Sequence, residues 1–247
     1  MSRIPKKIHY CWFGGSSKPE IVTRCIESWK RFMPDYELCE WNEENYDCHK
    51  IPFIDEAYRM KKWAFVSDYV RFDVLNQYGG IYLDTDVELL KSISEDILAK
   101  GAFTGMESAG KVNPGLIFAI TPCHPFLKEI MASYQNTHFI IDGKPNYKTV
   151  NDFTTEILVP KGLELRNVYQ EVDGISIYPS EYFCGYDQDI KEYDIREETI
   201  SVHHYAGTWM KKGIKQKMQL LCKKVLGINL YRKLLGLKRK IFGISNE

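Results

Sequence analysis

Two carboxylates set two positions apart, Asp84 and Asp86, stand near the middle of the segment GGIYLDTDVELL at residues 79–90. Acidic oxygens suit a hard divalent cation, and Mg2+ or Mn2+ held by one or two carboxylates completes its shell with waters and phosphate oxygens. The pair therefore reads as a site for a diphosphate. Ile81, Tyr82 and Leu83 are strand formers introduced by Gly79 and Gly80, so a short buried strand entered through a tight turn is expected here. Residues i and i+2 of an extended chain share a side, which would aim both carboxylates at one ion and turn Thr85 away. The ordinary alternative for a DxD is a pair of solvated turn residues. The apolar strand before it, and Val87, Leu89 and Leu90 after it, argue against that.

Two further polar groups sit on the element that must deliver this segment. Residues 55–78 contain no Gly or Pro and read as one long helix. Trp63, Val66, Val70 and Val74 form an apolar stripe on it, while Ala64, Asp68, Arg71 and Leu75 fall on another side. Asp68 and Arg71 are i, i+3 neighbours. A surface ion pair of that spacing contributes only a few tenths of a kcal/mol and is the plain alternative. A surface pair would not normally lie between Ala64 and Leu75 on a helix that feeds into the DxD, and a carboxylate and guanidinium held side by side there could grip sugar hydroxyls.

Upstream, Lys7 to Phe13 (KIHYCWF) reads as a strand ending at Gly14 and Gly15. Ligands of open α/β sheets sit beyond the carboxyl ends of strands, so Trp12 could stack on a nucleobase, worth about 1–3 kcal/mol, or serve as a core ring. Glu20 to Phe32 reads as a helix and Tyr36 to Trp41 as a second strand. This β-α-β opening argues for an α/β fold with a parallel sheet and a right-handed crossover.

At 247 residues the chain can bury one α/β domain with an appendage. Its hydrophobic share of 44% and charged share of 27% are ordinary for a soluble protein, whereas 13% aromatic residues fit a site for bases and sugars. The seven cysteines lack a CxxC pair, which argues against zinc or redox chemistry and for reduced thiols of a cytosolic protein. The N-terminal residues hold no long apolar run, so neither a signal peptide nor a membrane span is expected there. The net charge of zero conceals an asymmetry: residues 210–247 hold eleven Lys or Arg and one acid, leaving 22 basic and 32 acidic side chains before them.

W-x-x-x-SD-x-x-R from Trp63, GG-I-Y-L-D-T-D from Gly79 and the opening IHYCWFGG together resemble the DxD sugar transferases of glycosyltransferase family 32. That family includes fungal Golgi mannosyltransferases and bacterial capsule and lipopolysaccharide enzymes, and the catalytic domains of large clostridial glucosylating toxins share its motifs. The resemblance implies a GT-A nucleotide-sugar fold over residues 1–210, a divalent metal, Mn2+ or Mg2+, and retention at the anomeric carbon. It also implies that Trp12 stacks on the base and that Asp68 and Arg71 bind donor sugar hydroxyls. Tyr82 and Asp84 would contact ribose and sugar, and Asp86 would ligate the metal, which Asp84 reaches directly or through water.

Asn113 and Gly115 fall where similar enzymes face the acceptor, although a plain turn is the simpler reading. Asn151 or Asp152 reads as the cap of a helix over 151–158 on the reacting side, but the family's Gly-Pro is replaced there by Val150-Asn151. In Ser201 to Met210 (SVHHYAGTWM), His204 is the expected third metal ligand, ahead of His203, with Thr208 and Trp209 as a lid over the phosphates. From residue 211 to 247, apolar residues at spacings of four and three alternate with lysines, as in an amphipathic segment lying on an anionic membrane. The alternatives are a nucleic-acid tail or a helix docked on the acidic body.

The reading that follows is a metal-dependent, retaining glycosyltransferase moving a hexose-type sugar from a nucleoside diphosphate sugar, UDP-sugar favoured. Its acceptor would be a glycan, lipid-linked, in surface polysaccharide synthesis at the cytoplasmic face of the cell membrane, with no nucleic acid as partner. Two rivals stand beside it. A DxD phosphatase would want Thr or Val at position 88, where the chain has Glu88, and would carry its motif on the first strand. A noncatalytic sugar-binding or membrane-scaffold protein would have little use for intact Asp68, Arg71, Asp84 and Asp86.

Overall fold

The computed structural model of the chain describes residues 4–187 and 192–206. Thr208, Trp209 and the segment 211–247 lie outside these described residues. β1 (Lys7–Cys11) leads through α1 (Glu20–Phe32) to β2 (Glu37–Trp41). Two helices follow, α2 (Pro52–Arg59) and α3 (Trp63–Tyr78), and then β3 (Gly80–Tyr82) and β4 (Val87–Leu89). α4 (Glu95–Leu98), β5 (Ala102–Ser108), β6 (Lys111–Val112) and β7 (Phe118–Ile120) come next. After α5 (Pro125–Gln135), β8 (Ile140–Ile141) and β9 (Lys144–Pro145) form a hairpin before α6 (Val150–Leu158). β10 (Gln170–Val172), β11 (Ile175–Tyr178) and α7 (Ser180–Phe183) precede β12 (Tyr186–Asp187), β13 (Glu192–Tyr193) and β14 (Ser201–His203).

The main sheet has the order β10-β11-β5-β7-β3-β1-β2, with β6 on β5. β1 lies parallel to β2 and β3, as the β-α-β opening requires, and β11 is parallel to β5. The sheet is nonetheless mixed rather than wholly parallel, because β7 runs antiparallel to both β3 and β5. Short strands reached through a turn, not a helical crossover, account for that reversal. The α/β class expected from the sequence is the class the chain adopts.

Alternation along the strands sorts side chains onto two cores. Tyr82, Phe118 and Ile120 join α3 and α5 on one face, whereas Ile8, Ile81, Leu83 and Ala119 join α1 on the other. α1 turns Val22, Cys25, Ile26 and Trp29 inward at helical spacing, with Glu20 in its first turn and Lys30 and Arg31 in its last, complementing the helix dipole. It does more than fill space. The Trp29 indole N–H donates to the carbonyl of Val87 at 2.8 Å, and the Ser28 hydroxyl accepts from the N–H of Leu89 at 2.9 Å, so α1 clamps β4 immediately after the DxD.

The expected single helix over 55–78 is two helices. Lys61 adopts φ 56° between α2 and α3, and the N–H of Lys62 returns to the carbonyl of Ala57 at 2.9 Å, closing α2 without Gly or Pro. α3 is buried from Phe65 to Leu75 on nearly every side, as a helix crossing the interior must be. It ends at Gly79, where an added Cβ would lie 2.6 Å from the Pro122 ring, and Gly80 packs equally tightly on the carbonyl of Lys7. Only glycine allows so abrupt a passage from α3 into β3. Among the described residues, no helix is long and apolar enough to cross a membrane.

Candidate active site

Asp68 and Arg71 are not a surface pair. Both are buried, at 7% and 2% exposure, and Arg71 Nη2 donates to Asp68 Oδ1 at 2.7 Å. The same nitrogen lies 3.4 Å from Asp84 Oδ1, which also accepts the Tyr82 hydroxyl at 3.1 Å, while the guanidinium stacks 4.7 Å over the Tyr82 ring. A helix turn, a strand and the first DxD carboxylate thus meet around one guanidinium. Burial opposes the charge on Arg71, but Asp84, Tyr82 and Asp68 outweigh it and keep the group protonated. For Asp68, burial raises the pKa to about 7, against the pull of Arg71 and of the Val150 N–H at the start of α6.

One guanidinium nitrogen is left over. Arg71 Nη1 is buried and makes no hydrogen bond. A Cβ built on Gly115 would fall 3.0 Å from it and 2.0 Å from Asp84 Oδ2, so the absence of a side chain at Gly115 leaves a notch that Asp84 Oδ2 enters, setting an acceptor beside that donor. Gly115 is fixed there by two bonds: its N–H donates to Asn113 Oδ1 at 2.7 Å and its carbonyl accepts the N–H of Asp84 at 2.9 Å. A sugar hydroxyl, which donates and accepts at once, has the chemistry of that notch.

The two DxD carboxylates do not share a strand face. The N–H of Val87 closes on the carbonyl of Asp84 at 3.0 Å, so residues 84–87 form a turn between β3 and β4. Asp86 belongs to a second cluster. β14 pairs antiparallel with β4, placing His203 opposite Val87, and His203 Nε2 reaches Asp86 Oδ1 at 3.0 Å. The N–H of Ala206 donates to Asp86 Oδ2 at 2.9 Å. Burial works against ionisation of Asp86, yet the charge and hydrogen bond of His203 and the Ala206 N–H prevail and hold its pKa at about 2. His203 responds in the opposite sense, its pKa raised by Asp86 despite burial.

It is the side chain of His203, not that of the expected His204, that reaches the Asp86 carboxylate; His204 meets Asp86 through its backbone N–H, which donates to the Asp86 carbonyl at 2.9 Å. The His204 ring turns the other way, with Nε2 2.8 Å from Glu88 Oε2 and 3.3 Å from Arg24 Nη2, and Nδ1 2.6 Å from the Tyr193 hydroxyl. The side-to-side alternation of a strand accounts for the swap. Trp12 lies just beyond β1, half-buried, leaning on the core and donating to the carbonyl of Ser16 at 2.7 Å. Asn113 reaches the notch only through Gly115 and gives its amide to Glu107 at 3.0 Å. Asn151 is buried in α6, and Asp152 is the third residue of that helix rather than its cap. Thr149 is the cap, and Asp152 accepts its N–H at 2.9 Å and its hydroxyl at 2.8 Å in a capping box.

Among the described residues, no three His, Cys, Asp or Glu side chains are arranged to hold a metal ion by themselves. The donors present nevertheless fit a hard cation whose shell is completed by a substrate. Asp84 Oδ2 lies against the notch, the Asp86 carboxylate keeps acceptor capacity beyond its bonds to His203, Ala206 and its own N–H, and His203 Nδ1 is buried without a partner.

Residues 19–104 match the model of a family described as the glycosyltransferase sugar-binding region containing DXD motif. Inositol phosphoceramide mannosyltransferase 1 of Schizosaccharomyces pombe is 29% identical over 171 residues, covering 64% of this chain and 49% of that protein. Human alpha-1,4-N-acetylglucosaminyltransferase is 32% identical over 107 residues, 42% of this chain and 26% of that one. Among solved structures, the PaToxG glycosyltransferase aligns with TM-score 0.49 at 20% identity, over 62% of this chain and 67% of that chain. The chain spans about half the length, or less, of these curated relatives. The matched segment carries α1, the buried Asp68–Arg71 pair and both carboxylates of the turn, and in these it is similar to a glycosyltransferase sugar-binding region containing a DXD motif.

Proposed function

We propose that the protein is a metal-dependent, retaining glycosyltransferase that moves a hexose-type sugar from a nucleoside diphosphate sugar, UDP-sugar favoured, to a glycan acceptor. The observation that carries this reading is the notch at Gly115, where a buried, unpartnered Arg71 Nη1 and the Asp84 carboxylate stand together as donor and acceptor. Relatives named for mannose and N-acetylglucosamine transfer support a hexose-type donor. A relative named for inositol phosphoceramide supports a lipid-linked acceptor. The basic segment 211–247 fits attachment to the anionic inner face of a membrane where surface polysaccharide is assembled, and Thr208 and Trp209, shortly after Ala206 in sequence, would serve as the cover over the phosphates.

In this reading Arg71 and Asp84 hold a sugar hydroxyl, Asp68 and Tyr82 hold Arg71 in place, and Trp12 stacks on the base. Asp86 and Asp84, with His203 supporting Asp86, would hold Mn2+ or Mg2+. Such an ion offsets charge on a departing diphosphate. The acceptor oxygen forms a bond to the anomeric carbon as the bond to the diphosphate oxygen breaks. The electron pair leaves with the diphosphate, and the acceptor proton passes to a diphosphate oxygen, so no protein base is needed. Calorimetric titration of nucleotide sugars against the parent nucleoside diphosphates, with Mn2+, tests the reading. A nucleotide sugar that binds the native protein, and binds the Asp84→Asn variant no better than its diphosphate, is the expected result. Equal binding of every sugar and its bare diphosphate by the native protein would refute the sugar notch.

A further inference from the structure

A cavity of about 1080 Å3 opens between the β5–β6 turn, the first turns of α6, residues of α7 and β12, and Asp194 and Arg196. It is larger than the roughly 300–1,000 Å3 typical of a small-molecule pocket and has room for several linked rings. Hydrogen bonds connect it to the notch. Glu107, on its wall, accepts the Asn113 amide at 3.0 Å, and Asn113 holds Gly115, whose carbonyl holds Asp84.

The lining chemistry is selective. Six carboxylates face it, from Glu107, Asp152, Glu156, Glu181, Asp187 and Asp194, against three cations. Each of those cations is already held by a carboxylate. Lys111 lies 3.5 Å from Glu107, Lys148 pairs with Glu156, and Arg196 is shared by Asp194 at 2.7 Å and Glu181 at 3.2 Å. A phosphate entering the cavity would meet excess negative charge and cations that are engaged elsewhere. Carboxylates instead accept hydrogen bonds from hydroxyl and ammonium groups. The half-buried ring of Tyr186 and the exposed side chain of Leu165 supply the apolar surfaces on which the C–H faces of a sugar rest.

We infer that this cavity takes the acceptor, and that the portion entering it is a polyhydroxylated chain of neutral or amino-bearing sugars with no phosphate. This rests on the transferase reading above and narrows it: a lipid-linked acceptor presents its sugar end here and keeps its phosphates outside. A phosphoinositol headgroup, of the kind named for the yeast relative, does not suit the lining.

The test is competitive titration of the full chain with neutral oligosaccharides of glucose, galactose and mannose, a glucosamine oligomer, and inositol monophosphate, alongside titration of nucleotide sugars. A neutral or amino oligosaccharide is expected to bind at least about tenfold more tightly than inositol monophosphate. Hydrogen-exchange protection is expected at residues 107–111 and 152–156. The Glu156→Gln/Asp194→Asn double variant, which releases Lys148 and loosens Arg196, is expected to narrow that preference about tenfold. Ser108→Trp, which sets a bulky ring into the cavity beside Glu107, is expected to weaken oligosaccharide binding at least about tenfold and spare nucleotide sugars, whether or not the double variant folds. Inositol monophosphate binding as tightly as any sugar, no oligosaccharide binding in a protein that binds nucleotide sugars, or protection lying elsewhere would overturn the inference. Loss of nucleotide-sugar binding in the native chain would instead sink the transferase reading.

Discussion

His203 Nε2 lies 3.0 Å from Asp86 Oδ1, an imidazole joined to a carboxylate 117 positions earlier in the chain. The pairing of β14 with β4 makes this contact, and it ties the second DxD carboxylate to the last described strand. Groups that orient a metal-binding carboxylate typically contribute 10–100-fold in affinity or activity. His203→Ala should therefore weaken Mn2+-dependent nucleotide binding about 10–100-fold, whereas His204→Ala, which loses contacts to Glu88 and Tyr193, should have a smaller effect. Titration of Mn2+ at fixed nucleotide checks the order of the two.

Gly115→Ala places a methyl group 2.0 Å from Asp84 Oδ2 and 3.0 Å from Arg71 Nη1. Overpacking of this kind costs about 1–3 kcal/mol, so the variant should fold with a lowered denaturation midpoint. The methyl group should push the Asp84 carboxylate out of its place beside Arg71. Binding of a nucleotide sugar should fall to the level of the bare diphosphate, measured by calorimetry on protein shown folded by circular dichroism.

Arg71→Lys keeps the charge but not the fork that reaches Asp68 and Asp84 together and leaves Nη1 for a ligand. Loss of a charge-assisted bond to the sugar should weaken donor binding by about 1.5–3 kcal/mol. Arg71→Leu should go further, destabilising the fold by about 3–5 kcal/mol because two carboxylates lose the buried cation between them. Chemical denaturation of both variants separates the binding effect from the folding effect.

How much of this was legible depended on how local each signal was. The bounds of α1 and the positions of β1 and β2 follow from periodicity and from glycine and proline punctuation, and Asp68, Arg71 and the DxD stood out by spacing. The break at Lys61 did not, since a left-handed lysine leaves no mark in composition and is imposed by the packing of α2 against α3. The DxD spacing suggests extended backbone rather than the turn at 84–87 because Asp and Thr suit either state. The choice of His203 over His204 depends on the register of two strands more than a hundred residues apart, which adjacent histidines cannot reveal. Gly115 looked like a turn residue, and its value as empty space appeared only with Asp84 and Arg71 around it.

His9 supplies a pH dependence. It is fully buried, its Nε2–H donates to the carbonyl of Gly79 at 2.8 Å, and Nδ1 accepts the Trp41 indole N–H at 3.1 Å. Burial, the largest cause, lowers its pKa from 6.5 to about 4 even though the Gly79 bond pulls the other way. The unfolded chain therefore takes up a proton that the folded chain refuses. Above pH 6.5 this group leaves stability unaffected by pH, and as pH falls from 6.5 to about 4 it costs up to about 3 kcal/mol. Urea denaturation between pH 7.5 and pH 4 should show that loss in the native protein and a shallower one in His9→Gln.

Release of nucleoside diphosphate from UDP-sugars, GDP-sugars and other donors, with Mn2+ and with chelator, in the presence of oligosaccharide acceptors, tests glycosyl transfer most directly. The native protein should turn over one donor in a metal-dependent manner with the sugar appearing on the acceptor, and Asp86→Asn should lose the reaction while keeping its fold. Turnover undiminished in Asp86→Asn or in chelator, or no transfer from any donor the protein binds, would contradict the account.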